Sequence, residues 1–444
     1  MSASPAERRA ARRAAGIRLE LRCGAMVHGG ACLGRQERGD WPPELGERAA
    51  TVLVDGALPG ELVEAQVHGR RGGVWRARAV EVLEPSPDRV TPPCPYVPEC
   101  GGCDLQHAAY PRQLELKREI VLDALRRQRI EPPADVVVHG MDDPWRYRRR
   151  GEFHVVRGPE GTAGAGLGFN RARSWRPIAV DDCLIHHPTI AASLPALRTL
   201  VRRGGAEELS VLHLTVGGAG RDLLVQARPR DAVDPGVLDE VALDAGQDVT
   251  WHTGAVSVRW RGREFRIEPE TFVQVNEAQM DVLYGRVLDA LGDLAGRHVV
   301  DAYAGVGILG IGIAAAGAEV VCIEEVQSSA RLGLLNARLN GVEDRVRYIA
   351  RPVEQALIGL GSAHSIHAAV LDPPRAGCDS TVTGWLALAG PPQIVYVSCD
   401  PATLARDLHL LSVLGPYRIE RLELVDMFPQ THHVETLVAL RRHT

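Results

Sequence analysis

One stretch, HVVDAYAGVGILGIGIAAAGAEVVCIEEV (residues 298–326), constrains the fold more than any other part of the chain. It reads as a strand, a glycine-rich turn, a helix and a second strand ending in acid. Gly305 and Gly307 let the backbone approach a ligand closely, and Glu324 lies 23 residues after Asp301, where a carboxylate can hydrogen-bond ribose hydroxyls. The pair of turn glycines departs from the full G-x-G-x-x-G dinucleotide fingerprint, so a nicotinamide site and another adenosine-type ligand both stand at this point. Strands and helices continue to alternate after Pro269, which predicts an α/β domain over 269–444 with a parallel sheet.

The rest of the chain divides by pattern. Short alternating apolar stretches separated by Gly, Pro and Asp over 17–84 predict a small, strongly bent β-barrel. A proline-rich linker opens 85–268, followed by a helix in YPRQLELKREIVLDALRRQR and then strand-like runs of a β-rich central domain. The start, MSASPAERRAARRAAG (1–16), reads as a disordered basic arm. It lacks the apolar core of a secretory signal, and no run of about 18 apolar residues appears, so no membrane contact is expected. The net charge of −5 excludes indiscriminate polyanion binding and confines any nucleic-acid surface to a local patch. Nine cysteines without a signal sequence point to a reducing compartment, the cytoplasm, where clustered thiols hold metal more often than disulfides.

Two groups of residues carry chemistry. In CPYVPECGGCDLQH, Cys94, Cys100 and Cys103 place three thiols on one loop, most of a soft-metal cage; Cys183 in IAVDDCLIHHP is the natural fourth. An iron–sulfur cluster and zinc both suit such a set. The second group lies in the α/β half. Cys399 follows an apolar strand in YVSCDP, Asp372 stands in LDPPRAG, and Glu435 in DMFPQTHHVET. Methylation of a pyrimidine at carbon 5 needs such residue types. A thiolate adds at carbon 6 to make carbon 5 nucleophilic, and a carboxylate later removes the carbon-5 proton.

These motifs form a recognisable set. CPYVPECGGCDLQH, Cys183, FVQVN (272–276), DAYAGVG (301–307), LDPPRAG (371–377), YVSCDP (396–401) and DMFPQTHHVET (426–436) occur in the order found in RNA uracil-5-methyltransferases. The chain resembles that family from about Ile17 onward, and VDGALPGELVEAQV with its basic continuation resembles the TRAM domain, an oligonucleotide-binding-like barrel. DAYAGVG looks like motif I of class I S-adenosylmethionine-dependent methyltransferases. The resemblance implies a three-part architecture: TRAM barrel, β-rich central domain and Rossmann-like methyltransferase domain. It implies Cys399 as nucleophile and Glu435 as base, with S-adenosylmethionine held by Gln274, Tyr303, Gly305, Gly307, Glu324 and Asp372. It further implies a [4Fe-4S] cluster on Cys94, Cys100, Cys103 and Cys183.

The chain departs from the family pattern at Ile308, where an Asn is usual, and at Pro352, where Asp or Asn is usual; both remove polar contacts to the methyl donor. The expected partner is RNA, ribosomal in preference to transfer RNA, and the expected state is a monomer. Trp145–Arg150 mixes aromatic and basic side chains suited to stacking and backbone contact with single-stranded RNA, and Arg375 suits a phosphate. Methylation of another base, or RNA binding without turnover, are the competing readings.

Overall fold

The computed structural model describes residues 14–46, 51–157, 166–202, 208–218, 220–229, 236–237, 240, 249–360 and 365–443. Their contacts separate into two units, Met1–Val121 with Phe428–His433, and Leu122–Met427 with Val434–Thr444.

In the first unit the alternating pattern becomes five strands, β1 (Arg18–Met26), β2 (Ala31–Arg38), β3 (Val52–Asp55), β4 (Leu62–Arg71) and β5 (Val74–Glu84). They close into a barrel in the order β1-β2-β3-β5-β4, which leaves no open edge. Leu19, Leu21 and Cys23 of β1 and Trp75 and Ala77 of β5 point inward, as a period of two requires. The Trp75 indole N–H donates to the Leu45 carbonyl at 3.0 Å. Of the expected N-terminal arm, Ala14–Gly16 fall among the described residues and pack on the barrel: Ala14 is buried, and the Gly16 N–H donates to the Val67 carbonyl. The rest of the arm lies outside them. Helix α1 (Tyr110–Arg127) adds Leu116 and Ile120 to this core.

One carboxylate is sealed in this unit. The Glu61 side chain has no exposure and accepts from both Arg89 nitrogens (2.6 and 2.7 Å) and from the Leu58 and Ser86 N–H groups (2.7 and 3.1 Å). Burial alone would push its pKa up; Arg89 and the two N–H groups outweigh that and hold it below the usual range.

The second unit contains two main sheets. Strands β7 (Arg150–Val156), β8 (Gly166–Asn170), β9 (Pro177–Ala179), β10 (Val211–Gly217), β11 (Asp222–Arg228) and β12 (Thr250–His252) follow β6 (Val136–His139) and form a six-stranded sheet, order β12-β11-β10-β7-β8-β9. Helix α2 (Pro188–Arg202) buries Ile190, Leu194, Leu197 and Leu200 against it. A hairpin, β13 (Val256–Trp260) and β14 (Arg263–Ile267), leads to α3 (Glu277–Leu291), whose N-cap Asn276 accepts from the Gln279 N–H.

The C-terminal half alternates as the sequence predicts: β15 (His298–Ala302), α4 (Ile308–Ala315), β16 (Glu319–Ile323), α5 (Gln327–Leu339), β17 (Val346–Ile349), α6 (Val353–Gly359), β18 (Ala368–Leu371), α7 (Ser380–Ala389), β19 (Gln393–Ser398) and α8 (Pro401–Leu408), then β20 (Tyr417–Val425) and β21 (Glu435–Arg442). The sheet order is β17-β16-β15-β18-β19-β21-β20-β6. All neighbours are parallel except that β21 runs against β19 and β20. β6 lies in the sequence region read as the central domain, yet it pairs with β20 at this sheet's edge. The strand order reverses between β15 and β18, and a ligand crevice in an open α/β sheet forms at the carboxyl ends there.

Candidate active site

The carboxyl ends of β15, β18 and β19 deliver Asp301, Asp372 and Cys399 to the crevice. β18 and β19 are buried at every position and end just before Asp372 and Cys399, whereas Asp301 lies within β15, one residue before its end. β21 enters from the opposite direction. Its register pairs Thr436 with Ser398, so Glu435 and Cys399 each lie one residue further out at the same end, and Glu435 acts electrostatically on the Cys399 thiol. The spacing of 36 residues that separates them in sequence closes to adjacent positions at one sheet end.

The electrostatics of this end are unusual for a protein interior. Burial pushes the Cys399 thiol up to about 11; Glu435 and Asp372 add to the rise, and Arg375 opposes it. Glu435 is 3% exposed and is held well above the carboxylate range by burial and by Asp372, again with Arg375 opposing. Burial raises the Asp372 carboxyl to about 7 and Asp301 to about 8, the latter helped by Asp372 and Glu324. One Asp301 oxygen accepts the Gly310 N–H; its Oδ2 is buried and has no partner among the described residues. Three carboxyl groups therefore raise one another's pKa at this sheet end, and Arg375 opposes the rise at Glu435 and Cys399.

The glycine turn is built around a second set of contacts. Glu324 accepts the N–H groups of Gly305 and Val326, each at 2.8 Å, so its carboxylate sits at the turn and fixes it. Gly307 caps α4 with φ +85, a conformation L side chains rarely adopt, and a methyl group there would collide with the Tyr348 hydroxyl. The Asn336 side chain on α5 donates to the Val306 carbonyl at 3.1 Å and brackets the Arg266 backbone. Tyr303 takes a left-handed backbone, φ +66, and its phenol hydrogen-bonds Cys378; burial first, then Cys378, raises it. Gln274 is buried and lines a cavity with Arg149, Arg150 and Glu277. Ile308 is buried in the core, an apolar first residue of a helix that is apolar all round. Pro352 is the N-cap of α6 and makes no side-chain cap bond.

Sequence reasoning missed Tyr284. On α3 it faces Asp372, Asp301 and Glu435, hydrogen-bonds Gln274 and sets its ring edge-on to Trp260 at 5.5 Å. A tyrosine in an amphipathic helix carries no signal that distinguishes it from a core residue. Within Trp145–Arg150 several side chains also have partners inside the unit, although all but Tyr147 stay half-exposed. Arg146 pairs with Asp182, and Arg149 pairs with Glu277 and donates to the Gly217 and Gly218 carbonyls. Arg150 donates to the Thr271 carbonyl, and Tyr147 is 6% exposed.

Cys94, Cys100 and Cys103 belong to the first unit and Cys183 to the second; all four are half-buried and none is in a disulfide. The Cys100 thiol is raised by burial and by nearby Cys94, and its sulfur accepts the Gly102 N–H at 3.4 Å. Half-buried thiols with an N–H directed at sulfur have the donor chemistry of an iron–sulfur site. Among the described residues no group of three or more His, Cys, Asp or Glu side chains stands arranged to hold a metal ion. None of the helices among them is long and apolar enough to cross a membrane.

Comparison with known proteins agrees with this site. Residues 246–443 match the model of the tRNA (uracil-5-)-methyltransferase family. The chain is 33% identical over 404 residues to the 23S rRNA (uracil(1939)-C(5))-methyltransferase RlmD of Shewanella amazonensis, covering 86% of this chain and 89% of that one. It is 35% identical over 402 residues to the RlmD of Pseudomonas entomophila, covering 87% and 88%. The fold matches the tRNA (uracil-54, C5)-methyltransferase of Pyrococcus abyssi, solved with S-adenosyl-L-homocysteine, at a TM-score of 0.71 and 22% identity over 95% of this chain and all of that one. These similarities mean that the chain belongs to the S-adenosylmethionine-dependent RNA (uracil-5-)-methyltransferases.

Proposed function

We propose that the protein is a cytoplasmic, monomeric enzyme that methylates carbon 5 of a uridine in ribosomal RNA through a covalent bond from Cys399 to the base. The observation that carries this reading is the register of Glu435 against Cys399 at the carboxyl edge of the sheet, beside Asp372. Cys399, as thiolate, adds to uracil carbon 6, and Arg375 favours that ionisation while Glu435 and Asp372 oppose it. The resulting enolate at carbon 5 takes the methyl group, breaking the donor's S–CH3 bond. Glu435 then removes the carbon-5 proton, the carbon-6–sulfur bond breaks and Cys399 leaves as thiolate. S-adenosylmethionine supplies the methyl group and a positive sulfonium. A cation is what three crowded carboxyl groups and the unpartnered Asp301 Oδ2 favour. Gln274, Tyr303, Gly305, Gly307, Glu324 and Asp372 are assigned to the donor. Ribosomal RNA is preferred because the rRNA enzymes from Shewanella and Pseudomonas match over most of their length.

The thiols of Cys94, Cys100, Cys103 and Cys183 are assigned to a [4Fe-4S] cluster, which would stabilise the fold rather than take part in methyl transfer. Protein purified without oxygen should be brown and contain iron and sulfide in near-equal amounts; zinc without sulfide would reject the cluster. Mapping 5-methyluridine by mass spectrometry in RNA from cells lacking this protein tests the activity. One ribosomal uridine should lose its methyl group, whereas an unchanged ribosomal map with a transfer-RNA site lost would reassign the substrate.

A further inference from the structure

Behind Cys399 lies a buried carboxylate that no step of the reaction uses. Asp407, on α8, is completely buried. Its Oδ2 accepts from the Tyr396 hydroxyl at 2.7 Å and from the Cys378 N–H at 2.8 Å, and its Oδ1 accepts from Arg406 Nε at 2.8 Å. The same Arg406 guanidinium donates to the carbonyls of Ala376 and Cys378, at 3.0 and 3.1 Å. One turn earlier on α8, the Thr403 hydroxyl donates to the Arg375 carbonyl at 3.1 Å. Between these anchors Gly377 has φ +75, and a methyl group there would stand 2.6 Å from Arg406 Nη2 and 2.7 Å from Asp407 Oδ2. The backbone of Arg375–Cys378 is thus tied to α8 at nearly every residue.

The same carboxylate also reaches both sides of the nucleophile. Tyr396 precedes Cys399 by three residues on β19, and α8 begins two residues after it, capped by Asp400, which accepts the Ala402 and Thr403 N–H groups. Tyr303 of the glycine turn joins through Cys378. We propose that Asp407, with Arg406 and Tyr396, is a positioning clamp that sets the loop carrying Arg375 against Cys399 and so governs thiolate attack.

The proposal rests on the reading of Cys399 as nucleophile. The charged groups facing that thiol are Glu435 from β21, Asp372 and Arg375 from the loop after β18, and of these Arg375 alone favours the thiolate. A displaced Arg375 therefore makes attack need a higher pH. A clamp that merely stabilised the helix would lower the active fraction without moving the pH profile.

The test uses the full chain with RNA carrying 5-fluorouridine and S-adenosylmethionine, following covalent adduct formation from about pH 6 to 9 in Asp407→Asn and Tyr396→Phe. The rate at neutral pH should fall about 10- to 100-fold, the size expected when a reacting group is misplaced by about 1 Å. The profile should move alkaline by about half a pH unit or more, while affinity for RNA changes less than about twofold. If Asp407→Asn does not fold, Tyr396→Phe decides, since it removes one hydroxyl and keeps the ring. A profile at the wild-type pH in a soluble variant, whether at full or reduced amplitude, overturns the clamp. Cys399→Ala, run alongside, separates the two failures: an adduct from that variant overturns the nucleophile assignment itself.

Discussion

The barrel unit and the carboxyl edge of the open sheet each bury acid, and they treat it in opposite ways. Glu61 is sealed with every oxygen answered by Arg89 or a backbone N–H, and its pKa is held low. Glu435, Asp372 and Asp301 are buried with one opposing arginine and one oxygen left without a partner among the described residues, and their pKa values are held high. A closed barrel has no mouth at which charge is useful, so its buried charge is satisfied within the fold. The carboxyl edge of an open sheet is where a ligand completes the structure, and the incomplete pairing marks it.

Substitution breaks the comparison most sharply. Glu61→Gln leaves Arg89 facing a neutral partner and should cost about 3 kcal/mol, the lower end for a broken buried pair because Arg89 stays about a fifth exposed. Glu435→Gln, which removes a carboxyl that burial already disfavours, should leave stability within about 1 kcal/mol while turnover is lost. Denaturant titrations of the two variants measure both effects, and equal destabilisation would mean that the two acids play the same part.

Acidity and alkalinity should separate the regions as well. A carboxyl held above its unfolded value contributes stability that is complete below that value and is lost as pH rises through the folded one. Asp301, raised from 3.8 to about 8, and Asp372, raised from 3.8 to about 7, place that loss between about pH 4 and 8. Glu61 works in reverse: its contribution is present above 4.5 and disappears as acid protonates it. Thermal melts of Asp301→Asn should show a flatter decline toward pH 8 than the wild type. Parallel curves would place Asp301 outside the charged cluster.

A smaller effect probes the turn. Glu324→Ala removes the acceptor of the Gly305 and Val326 N–H groups and the proposed ribose contact, and should weaken donor binding by about 1–3 kcal/mol by calorimetry. Unchanged affinity would make Glu324 a purely internal brace.

Much of this was legible in the residues, for reasons that differ from place to place. The glycine turn, Cys399 just after a strand and the carboxylate that opens β21 are local patterns, and a parallel sheet necessarily brings its carboxyl ends together. The same logic recovered the barrel, because alternation with turn residues has few other solutions. What stayed hidden depends on pairing between distant segments. Asp407 reads as an ordinary helix residue until Tyr396 and Cys378 arrive from two other elements, and Tyr284 reads as core until three carboxyls surround it. The partners of the basic run Trp145–Arg150 were hidden in the same way: Asp182, Glu277 and the Thr271 carbonyl lie elsewhere in the sequence.

The division of labour between Cys399 and Glu435 is the central claim, and trapping on denaturing gels tests it most directly. With methyl donor and unmodified RNA, Glu435→Gln should add and methylate and then stall as a covalent protein–RNA species, since elimination waits on proton removal. Wild-type enzyme should be trapped in the same way by 5-fluorouridine RNA, because fluorine cannot leave as a cation. Cys399→Ala should bind RNA and give no adduct with either substrate. A Cys399→Ala protein that forms an adduct, or that still makes 5-methyluridine, would contradict the account.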